Sequence, residues 1–297
     1  MRYEAPVTVD AASKLLLAAG AKARVMAGGT DLLVQVKTEM VDPELVIDLK
    51  RIPALRTIRA DAAGFHIGAA VTGAELKEHS TLKLAWPGVV EAANLIGSTQ
   101  IQGRASLGGN LCNASPAADS VPALIAAGAT VSIHGPNGTR ILAVEDVVLA
   151  PRKTALQPGE FVGTFHLAAA AKGPNHSRGD AYLRFIPRTE MDIAVVGCGI
   201  ALTVDGSGVV TSARVGLGAV APRPLLVQAA GSALIGTKLE AGALAKMIAA
   251  VRAACVPIDD KRGTIAFRTE VAGVIARRTA ELAYARAMGK AGAKAHD

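Results

Sequence analysis

In the stretch Ala27-Gly28-Gly29-Thr30-Asp31-Leu32-Leu33 two glycines follow a short apolar segment, and a second glycine pair occurs in Ala105-Ser106-Leu107-Gly108-Gly109-Asn110-Leu111. Glycines lack a Cβ, so their backbone N–H groups approach a phosphate closely and form an anion-binding concavity. One such loop holds one phosphate. Two loops, each ending in a small polar residue, predict a clamp on both sides of a pyrophosphate and therefore a dinucleotide ligand.

The second glycine stretch is the more specific of the two, because several hydrogen-bond donors follow one another in it. The first stretch matches neither the GxGxxG dinucleotide fingerprint nor the phosphate loop that ends in Gly-Lys-Ser/Thr. Ser106 and Asn110 supply polar groups, and Asp119 is expected to accept from ribose or ribityl hydroxyls. Ser115 and Pro116 are typical of a helix start, with Ser115 as the cap and Pro116 at the first helical position. A helix beginning there would add its dipole to the phosphate site.

The composition indicates more than one core and argues against a nucleic-acid partner. At 297 residues the chain exceeds the roughly 100–150 residues typical of one domain. Apolar residues make up 51% of the chain but aromatic residues only 3%, so platforms on which bases stack are scarce. Much of the net charge of +7 comes from Lys and Arg beyond residue 260. This pattern is typical of solvated helix faces and a frayed tail, with a docking surface for an acidic partner as the alternative.

The cysteines and histidines do not form a recognisable metal or disulfide motif. Cys112, Cys198 and Cys255 are odd in number and lack Cys-x-x-Cys spacing, and the six histidines show no ligand spacing. We expect Cys112, the thiol nearest the glycine stretches, to be buried for structural reasons. The N-terminus has no apolar signal core, and no run reaches the roughly 18 apolar residues of a membrane helix. We therefore expect a soluble, cytoplasmic protein without metal ligands or a membrane span.

The order of predicted elements is a mixed α/β half followed by an α+β half. A strand at 24–27 runs into the first glycine stretch, and a helix follows at 31–37. The turn residues of 172–179 indicate the main domain boundary. Beyond it, Asp205-Gly206-Ser207-Gly208 joins two apolar runs, which is typical of a hairpin. The other predicted segments are strands at 45–49, 65–69 and 130–133, helices at 8–19, 72–78, 86–96, 117–127, 239–254 and 264–286, and the hairpin strands at 193–204 and 209–218.

A third motif, Tyr182-Leu183-Arg184-Phe185-Ile186-Pro187-Arg188-Thr189-Glu190-Met191-Asp192-Ile193-Ala194, precedes the predicted hairpin. Its charged residues are expected to form ion pairs at a strand end, Arg188 with Asp192 in particular. Taken together, the three ordered motifs resemble the FAD-binding medium subunit of molybdenum hydroxylases, the carbon monoxide dehydrogenase and xanthine dehydrogenase group. The resemblance covers essentially the whole chain.

This resemblance implies an α+β fold class with two domains. Residues 1–176 would form an FAD-binding domain of the vanillyl-alcohol-oxidase (PCMH) type, made of two α/β subdomains split near residue 55. Residues 177–288 would form a C-terminal β-sheet plus helix-bundle domain like that of carbon monoxide dehydrogenase flavoproteins. Residues 289–297 would be a flexible tail.

The same resemblance implies which residues bind FAD. The first stretch would hold the pyrophosphate from one side and the second stretch from the other. Asp119 would bind the sugar or ribityl chain, and Ile96 falls where some relatives place an aromatic against the adenine. Val162 would be a wall contact, and Arg184 stands where several relatives have a lysine near the flavin ring. The implied set is Ala27, Gly28, Gly29, Thr30, Asp31, Ile96, Ser106, Leu107, Gly108, Gly109, Asn110, Asp119, Val162 and Arg184, with no catalytic or metal-ligating residue.

The function implied by the resemblance is electron transfer within a heteromeric enzyme. A large subunit would oxidise the substrate at molybdopterin, a small subunit would carry electrons through 2Fe-2S clusters, and FAD on this chain would pass them to an external acceptor. The assembled enzyme would be a dimer of heterotrimers. Two alternatives stay open: a stand-alone FAD-dependent oxidase or dehydrogenase of a small alcohol, and a flavin-binding scaffold without redox activity.

Overall fold

The computed structural model describes residues 1–169, 176–188 and 191–289. The chain begins with a small parallel sheet covered by a helix, and the spatial order of its strands is β1 (Arg2–Glu4), β3 (Leu45–Asp48) and β2 (Ala23–Met26). Thr8 caps that helix by accepting a hydrogen bond of 3.2 Å from the Ala11 N–H, as expected for an N-cap threonine. The elements are β1 (Arg2–Glu4), α1 (Val9–Ala19), β2 (Ala23–Met26), α2 (Leu32–Lys37) and β3 (Leu45–Asp48).

A five-stranded antiparallel sheet follows, with helices packed on it around the largest core cluster. The spatial order of its strands is β4 (Ile58–Asp61), β5 (Gly64–Gly68), β10 (Phe161–Ala168), β6 (Thr130–Gly135) and β7 (Gly138–Ala143). A capping box opens its first helix: the Thr72 side chain accepts from the Glu75 N–H, and the Glu75 carboxylate accepts from the Thr72 N–H. The elements are β4 (Ile58–Asp61), β5 (Gly64–Gly68), α3 (Gly73–Glu78), α4 (Ser80–Ala85), α5 (Pro87–Ala93), α6 (Thr99–Gln102), α7 (Leu107–Cys112), α8 (Ser120–Ala126), β6 (Thr130–Gly135), β7 (Gly138–Ala143), β8 (Val148–Ala150), β9 (Lys153–Thr154) and β10 (Phe161–Ala168).

The C-terminal part is a four-stranded antiparallel sheet backed by helices, with a core cluster of its own. Asp205 closes the predicted hairpin, since its Oδ1 accepts from the N–H groups of Ser207 and Val209. A long helix approaches the sheet so closely that a Cβ on Gly179 would lie 2.0 Å from the Ala283 carbonyl oxygen. The elements are β11 (His176–Phe185), β12 (Val196–Asp205), β13 (Val210–Gly218), β14 (Leu225–Leu226), α9 (Gln228–Ser232), α10 (Ala241–Ala254) and α11 (Ile265–Ala287).

One predicted helix start is wrong. Helix α8 begins at Ser120, and not at Ser115 or Pro116. Its capping acceptor comes from ten residues upstream, because Asn110 Oδ1 accepts from both the Ser120 N–H (3.1 Å) and the Ser120 hydroxyl (2.7 Å). Ser115 only accepts from the Ala117 N–H at 3.2 Å in a local turn. The helix dipole that we expected to begin at Pro116 therefore begins at Ser120 instead.

The remaining predictions about organisation have mixed outcomes. The Arg188–Asp192 ion pair is confirmed, with Nε 3.3 Å from Oδ2. The predicted boundary in 172–179 and the predicted tail of 289–297 fall largely outside the described residues, so the division at residue 176 stays a prediction. Within the described ranges, helices long and apolar enough to cross a membrane are absent.

A buried carboxyl joins the two parts of the molecule. Asp180 on β11 is 4% exposed, and its Oδ2 accepts from the Val89 N–H of α5 at 3.2 Å. Arg286 of α11 donates to the Asp180 backbone carbonyl (2.8 Å) and to Glu91 (3.0 Å). Burial raises the pKa of Asp180 to about 7, while the nearby Arg178 and Arg286 act to lower it.

We predict that Asp180→Asn stabilises the protein at high pH. The folded pKa of about 7 lies above the ordinary 3.8, so the folded protein holds a proton that the unfolded chain releases. The unfolding free energy of the wild type therefore falls as the pH rises from 4 to 7, and it stays low above pH 7. Asparagine keeps an oxygen for the Val89 N–H without the buried charge. The gain in unfolding free energy should reach up to about 4 kcal/mol at pH 8 and vanish near pH 4.

Thermal unfolding at a series of pH values measures this difference. Asp42→Asn, at an exposed position, is the matched control and should leave the profile unchanged. A gain for Asp180→Asn that is the same at pH 4 and pH 8 would contradict the prediction.

Candidate cofactor-binding cleft

The two glycine stretches lie against each other and line one cleft of about 390 Å³. The contact is between backbones: a Cβ on Gly28 would lie 2.0 Å from the carbonyl oxygen of Arg104. Only glycine permits this approach. The fold thus brings together most of the predicted site residues. Those that line the cleft are Ala27, Gly28, Gly29, Thr30, Asp31, Ile96, Ser106, Gly109 and Asn110.

The first stretch presents a row of backbone donors. Gly28, Gly29, Thr30 and Asp31 connect β2 to α2, and across the described ranges their N–H groups donate to no protein acceptor. Gly29 has φ +78°, a left-handed conformation that favours glycine. Consecutive free N–H groups in such a turn form a concavity for an anion. This geometry fits a phosphate group.

The second stretch is a helical turn, and not the loop that we expected. Ser106 caps α7 by accepting from the Gly109 N–H at 3.1 Å, so both glycines lie inside the helix. Leu107 is 1% exposed, and a Cβ on Gly108 would lie 2.6 Å from the Ala69 carbonyl oxygen. These two residues pack against the interior and do not line the cleft.

Gly109 faces the open side of this turn. A Cβ there would have one protein neighbour within 4 Å, Ser106 Oγ at an ordinary 3.5 Å. The missing side chain therefore leaves space in the cleft, rather than relieving a clash within the protein. Such a cradle, which a Cβ would partly fill, is what a close-fitting ligand needs.

Asn110 points a hydrogen-bond donor at the cleft. Its Oδ1 is occupied by the two bonds from Ser120 that begin α8. Its side-chain amide nitrogen makes no hydrogen bond to the described residues. With the oxygen fixed in this way, the amide N–H₂ group remains to donate to an acceptor in the cleft, such as a phosphate oxygen.

Asp119 and Arg184 form a buried pair behind one end of the cleft. Arg184 Nη1 donates to Asp119 Oδ2 at 2.8 Å, and the Tyr182 hydroxyl donates to Asp119 Oδ1 at 3.0 Å. Burial raises the pKa of Asp119, while Arg184 acts to lower it. Both carboxylate oxygens are thus engaged by protein, and Asp119 does not line the cleft. Tyr182, which holds Asp119 through this hydrogen bond, was not among the predicted site residues.

Arg184 also donates to the Leu95 carbonyl at 2.9 Å, which places its guanidinium beside Ile96. Adenine and the flavin ring are at opposite ends of FAD. An extended cofactor could not have its adenine at Ile96 and its flavin ring at Arg184, because the two residues lie at the same end of the cleft. Both placements stay predictions. Val162 lies on β10 inside the largest core cluster and does not line the cleft either.

The other end of the cleft continues into a second lobe of about 360 Å³. Hydrogen bonds from Gln35 to Asn113 (3.1 Å) and from Asn113 to Asp31 (3.2 Å) bridge α2 to the end of α7 here. Burial raises the pKa of Asp31. Arg152 lines both lobes. No motif in the sequence pointed to this residue, because the β8–β9 turn places it there.

Cys112 corrects one expectation. We expected Cys112 to be buried, but the last turn of α7 presents the residue to the cleft, and part of its surface is exposed there. The atoms packed around its thiol still raise the pKa of that group to about 12. Groups of three or more His, Cys, Asp or Glu residues that could hold a metal ion are absent from the described part of the chain.

Comparisons with known proteins agree with this architecture. A family model described as FAD binding domain in molybdopterin dehydrogenase matches residues 1–168, and one described as CO dehydrogenase flavoprotein C-terminal domain matches residues 181–283. The carbon monoxide dehydrogenase medium chain of Afipia carboxidovorans is 35% identical over 285 residues, covering 96% of this chain and 97% of that protein. The xanthine dehydrogenase FAD-binding subunit of Escherichia coli O157:H7 is 29% identical over 276 residues, 93% of each.

A solved structure gives the same result for the fold. A chain of reconstituted CO dehydrogenase from Oligotropha carboxidovorans matches with a TM-score of 0.90 at 34% identity, covering 97% of this chain and 98% of that one. The α+β fold class with an FAD-binding domain followed by a flavoprotein C-terminal domain is therefore confirmed. The chain belongs to the family of FAD-binding medium subunits of molybdenum hydroxylases of the carbon monoxide dehydrogenase and xanthine dehydrogenase type.

Proposed function

We propose that this chain binds one FAD non-covalently in the cleft and passes electrons through it, from iron–sulfur clusters of a small partner subunit to an external acceptor. The cofactor of the family is FAD, and its relatives are oxidoreductase subunits. The proposal rests on two features that line the same cleft: the free backbone N–H groups of residues 28–31 and the open cradle at Gly109. Both fit a pyrophosphate.

Different residues of this chain would hold the pyrophosphate and the adenine of FAD. The N–H groups of 28–31 and the Asn110 amide donate to the pyrophosphate from opposite sides. Ile96 provides an aliphatic contact for the adenine. The Asp119–Arg184 pair fixes the wall behind it, through the Arg184 bond to the Leu95 carbonyl, with Val162 deeper in the same core. The binding set therefore divides into residues that would touch FAD and residues that position them.

Bound FAD supplies the ability to accept electrons singly and release them as a pair. We propose that molybdopterin and the 2Fe-2S clusters are on a large and a small partner subunit, since the relatives are named as medium chains. A cytoplasmic location is supported by Cys112, Cys198 and Cys255, which are free thiols. The large subunit would choose the substrate, so this chain needs no substrate site.

We predict that the full chain, purified alone, contains one FAD that acid precipitation releases into the supernatant. Dithionite should reduce this flavin, while purines, aldehydes, carbon monoxide and simple alcohols should not, because they would react at the large subunit. Rapid mixing with each candidate substrate measures bleaching of the flavin absorbance. Mixing with the reduced small subunit is the positive control.

Three results would count against this proposal. Substrate-driven bleaching at a catalytically useful rate would favour the stand-alone oxidase or dehydrogenase. Bound FAD that dithionite cannot reduce would favour the redox-inert scaffold. Flavin that stays with the precipitate would mean a covalent link, for which the exposed Cys112 is the first candidate.

We predict that Gly109→Ala removes FAD without harming the fold. The new Cβ would meet Ser106 Oγ at an ordinary distance in the protein but would protrude into the cradle. Alanine in a helix is more stable than glycine by roughly 0.5–1 kcal/mol, so the flavin-free variant should unfold at a slightly higher temperature than the flavin-free wild type. Its FAD dissociation constant should rise at least tenfold.

Gly242→Ala is the matched control, because a Cβ at this position on α10 would meet no atom within 4 Å. It should give the same gain in stability with wild-type FAD affinity. Wild-type affinity in Gly109→Ala as well would show that the helical turn is not part of the clamp.

A further inference from the structure

The turn between β8 and β9 holds an arginine in a fixed and uncommon backbone conformation. Arg152 has φ +60°, in the left-handed region that non-glycine residues rarely adopt. Its N–H donates to the Ala114 carbonyl at 3.0 Å, and Ala114 also has a positive φ of 50°. This bond attaches the turn to the chain just beyond the end of α7. The arginine is thereby anchored at the cleft.

Arg152 is a cation with no partner among the described residues. Its guanidinium makes no hydrogen bond or ion pair to any of them, although the residue lines both lobes of the cleft. Arg24, which also lines the cleft, differs: its Nη1 donates to the carbonyls of Ala21 (2.7 Å) and Ala23 (2.8 Å). The carboxyl that lines this part of the cleft, Asp31, accepts from Asn113 instead. Arg152 thus remains available to a ligand.

The anchor of Arg152 lies away from the pyrophosphate cradle. Gly109 is in the first half of α7, whereas Ala114 lies two residues beyond Cys112, the last residue of that helix. The helical part of this span, from 109 to 112, alone advances by about 4.5 Å. The second lobe that Arg152 borders does not include the glycines, Ile96, Ser106 or Asn110. With the adenine at Ile96, as proposed above, the flavin ring of an extended FAD would occupy the end where α2 and α7 are bridged. Arg152 borders that end.

We propose that Arg152 is the counter-ion of the reduced flavin ring, an inference that rests on the proposed binding of FAD in this cleft. Oxidised FAD takes two electrons and one proton to become the anion FADH⁻, and one further proton would give neutral FADH₂. A nearby cation stabilises the anion relative to both other forms. It therefore raises the midpoint potential of the flavin and lowers the pKa of the reduced ring. Electrons from the partner's clusters would reach FAD more readily.

The test compares Arg152→Gln with Arg152→Lys in the full chain. Gln and Lys have the same unbranched Cβ as Arg, so the left-handed backbone costs a similar amount in each. Three quantities are measured: FAD per chain, the midpoint potential by equilibration with redox dyes, and the pKa of the dithionite-reduced flavin from its absorbance. Lys153→Gln, next to Arg152 at the start of β9 and exposed, is the matched control.

We expect Arg152→Gln to keep one FAD per chain, with a more negative midpoint potential and a raised pKa of the reduced ring. Arg152→Lys should restore most of both values, and Lys153→Gln should match the wild type. An unchanged potential and pKa in FAD-loaded Arg152→Gln would overturn the inference while leaving the proposed function intact. Loss of FAD from Arg152→Gln, with FAD still bound to the wild type, would also overturn the inference. The Arg152 cation would then be needed to bind the pyrophosphate. A wild-type chain without FAD would overturn the proposed function and this inference together.

Discussion

The contact between the backbones of Gly28 and Arg104 is the constraint on which the cleft depends. A single Cβ at residue 28 would lie 2.0 Å from the Arg104 carbonyl oxygen, so any other residue would push the two segments apart. That contact holds the free N–H groups of the first stretch opposite the open side of α7. Each half offers only part of an anion site. Together they form a cleft with donors on both walls.

The rest of the chain supports the two walls from behind. The parallel sheet positions the first stretch by ending β2 at Met26, and Ala69 at the end of β5 packs against Gly108 to position the second. The C-terminal sheet contributes through β11, from which Tyr182 and Arg184 reach Asp119. A strand of one part thus braces a wall of the cleft in the other. Asp119 and Arg184 are buried there, and each is paired with the other.

The local features of the fold were predictable from sequence, and the long-range ones were not. Thr8 caps its helix and Asp205 closes its hairpin because both act on residues within four positions. The start of α8 was misplaced because Asn110 supplies the acceptor from ten residues away. Arg152 was missed for the same kind of reason: its place at the cleft comes from a turn bonded to Ala114, which no spacing along the chain indicates.

A crystal structure of the full chain with FAD would show where the pyrophosphate lies. We expect pyrophosphate oxygens within roughly 2.7–3.2 Å of backbone nitrogens in 28–31 and of the Asn110 side-chain nitrogen. The adenine should contact Ile96, at the end away from Arg152. A pyrophosphate bound to one glycine stretch only, or an adenine at the Arg152 end, would contradict a clamp formed by both stretches.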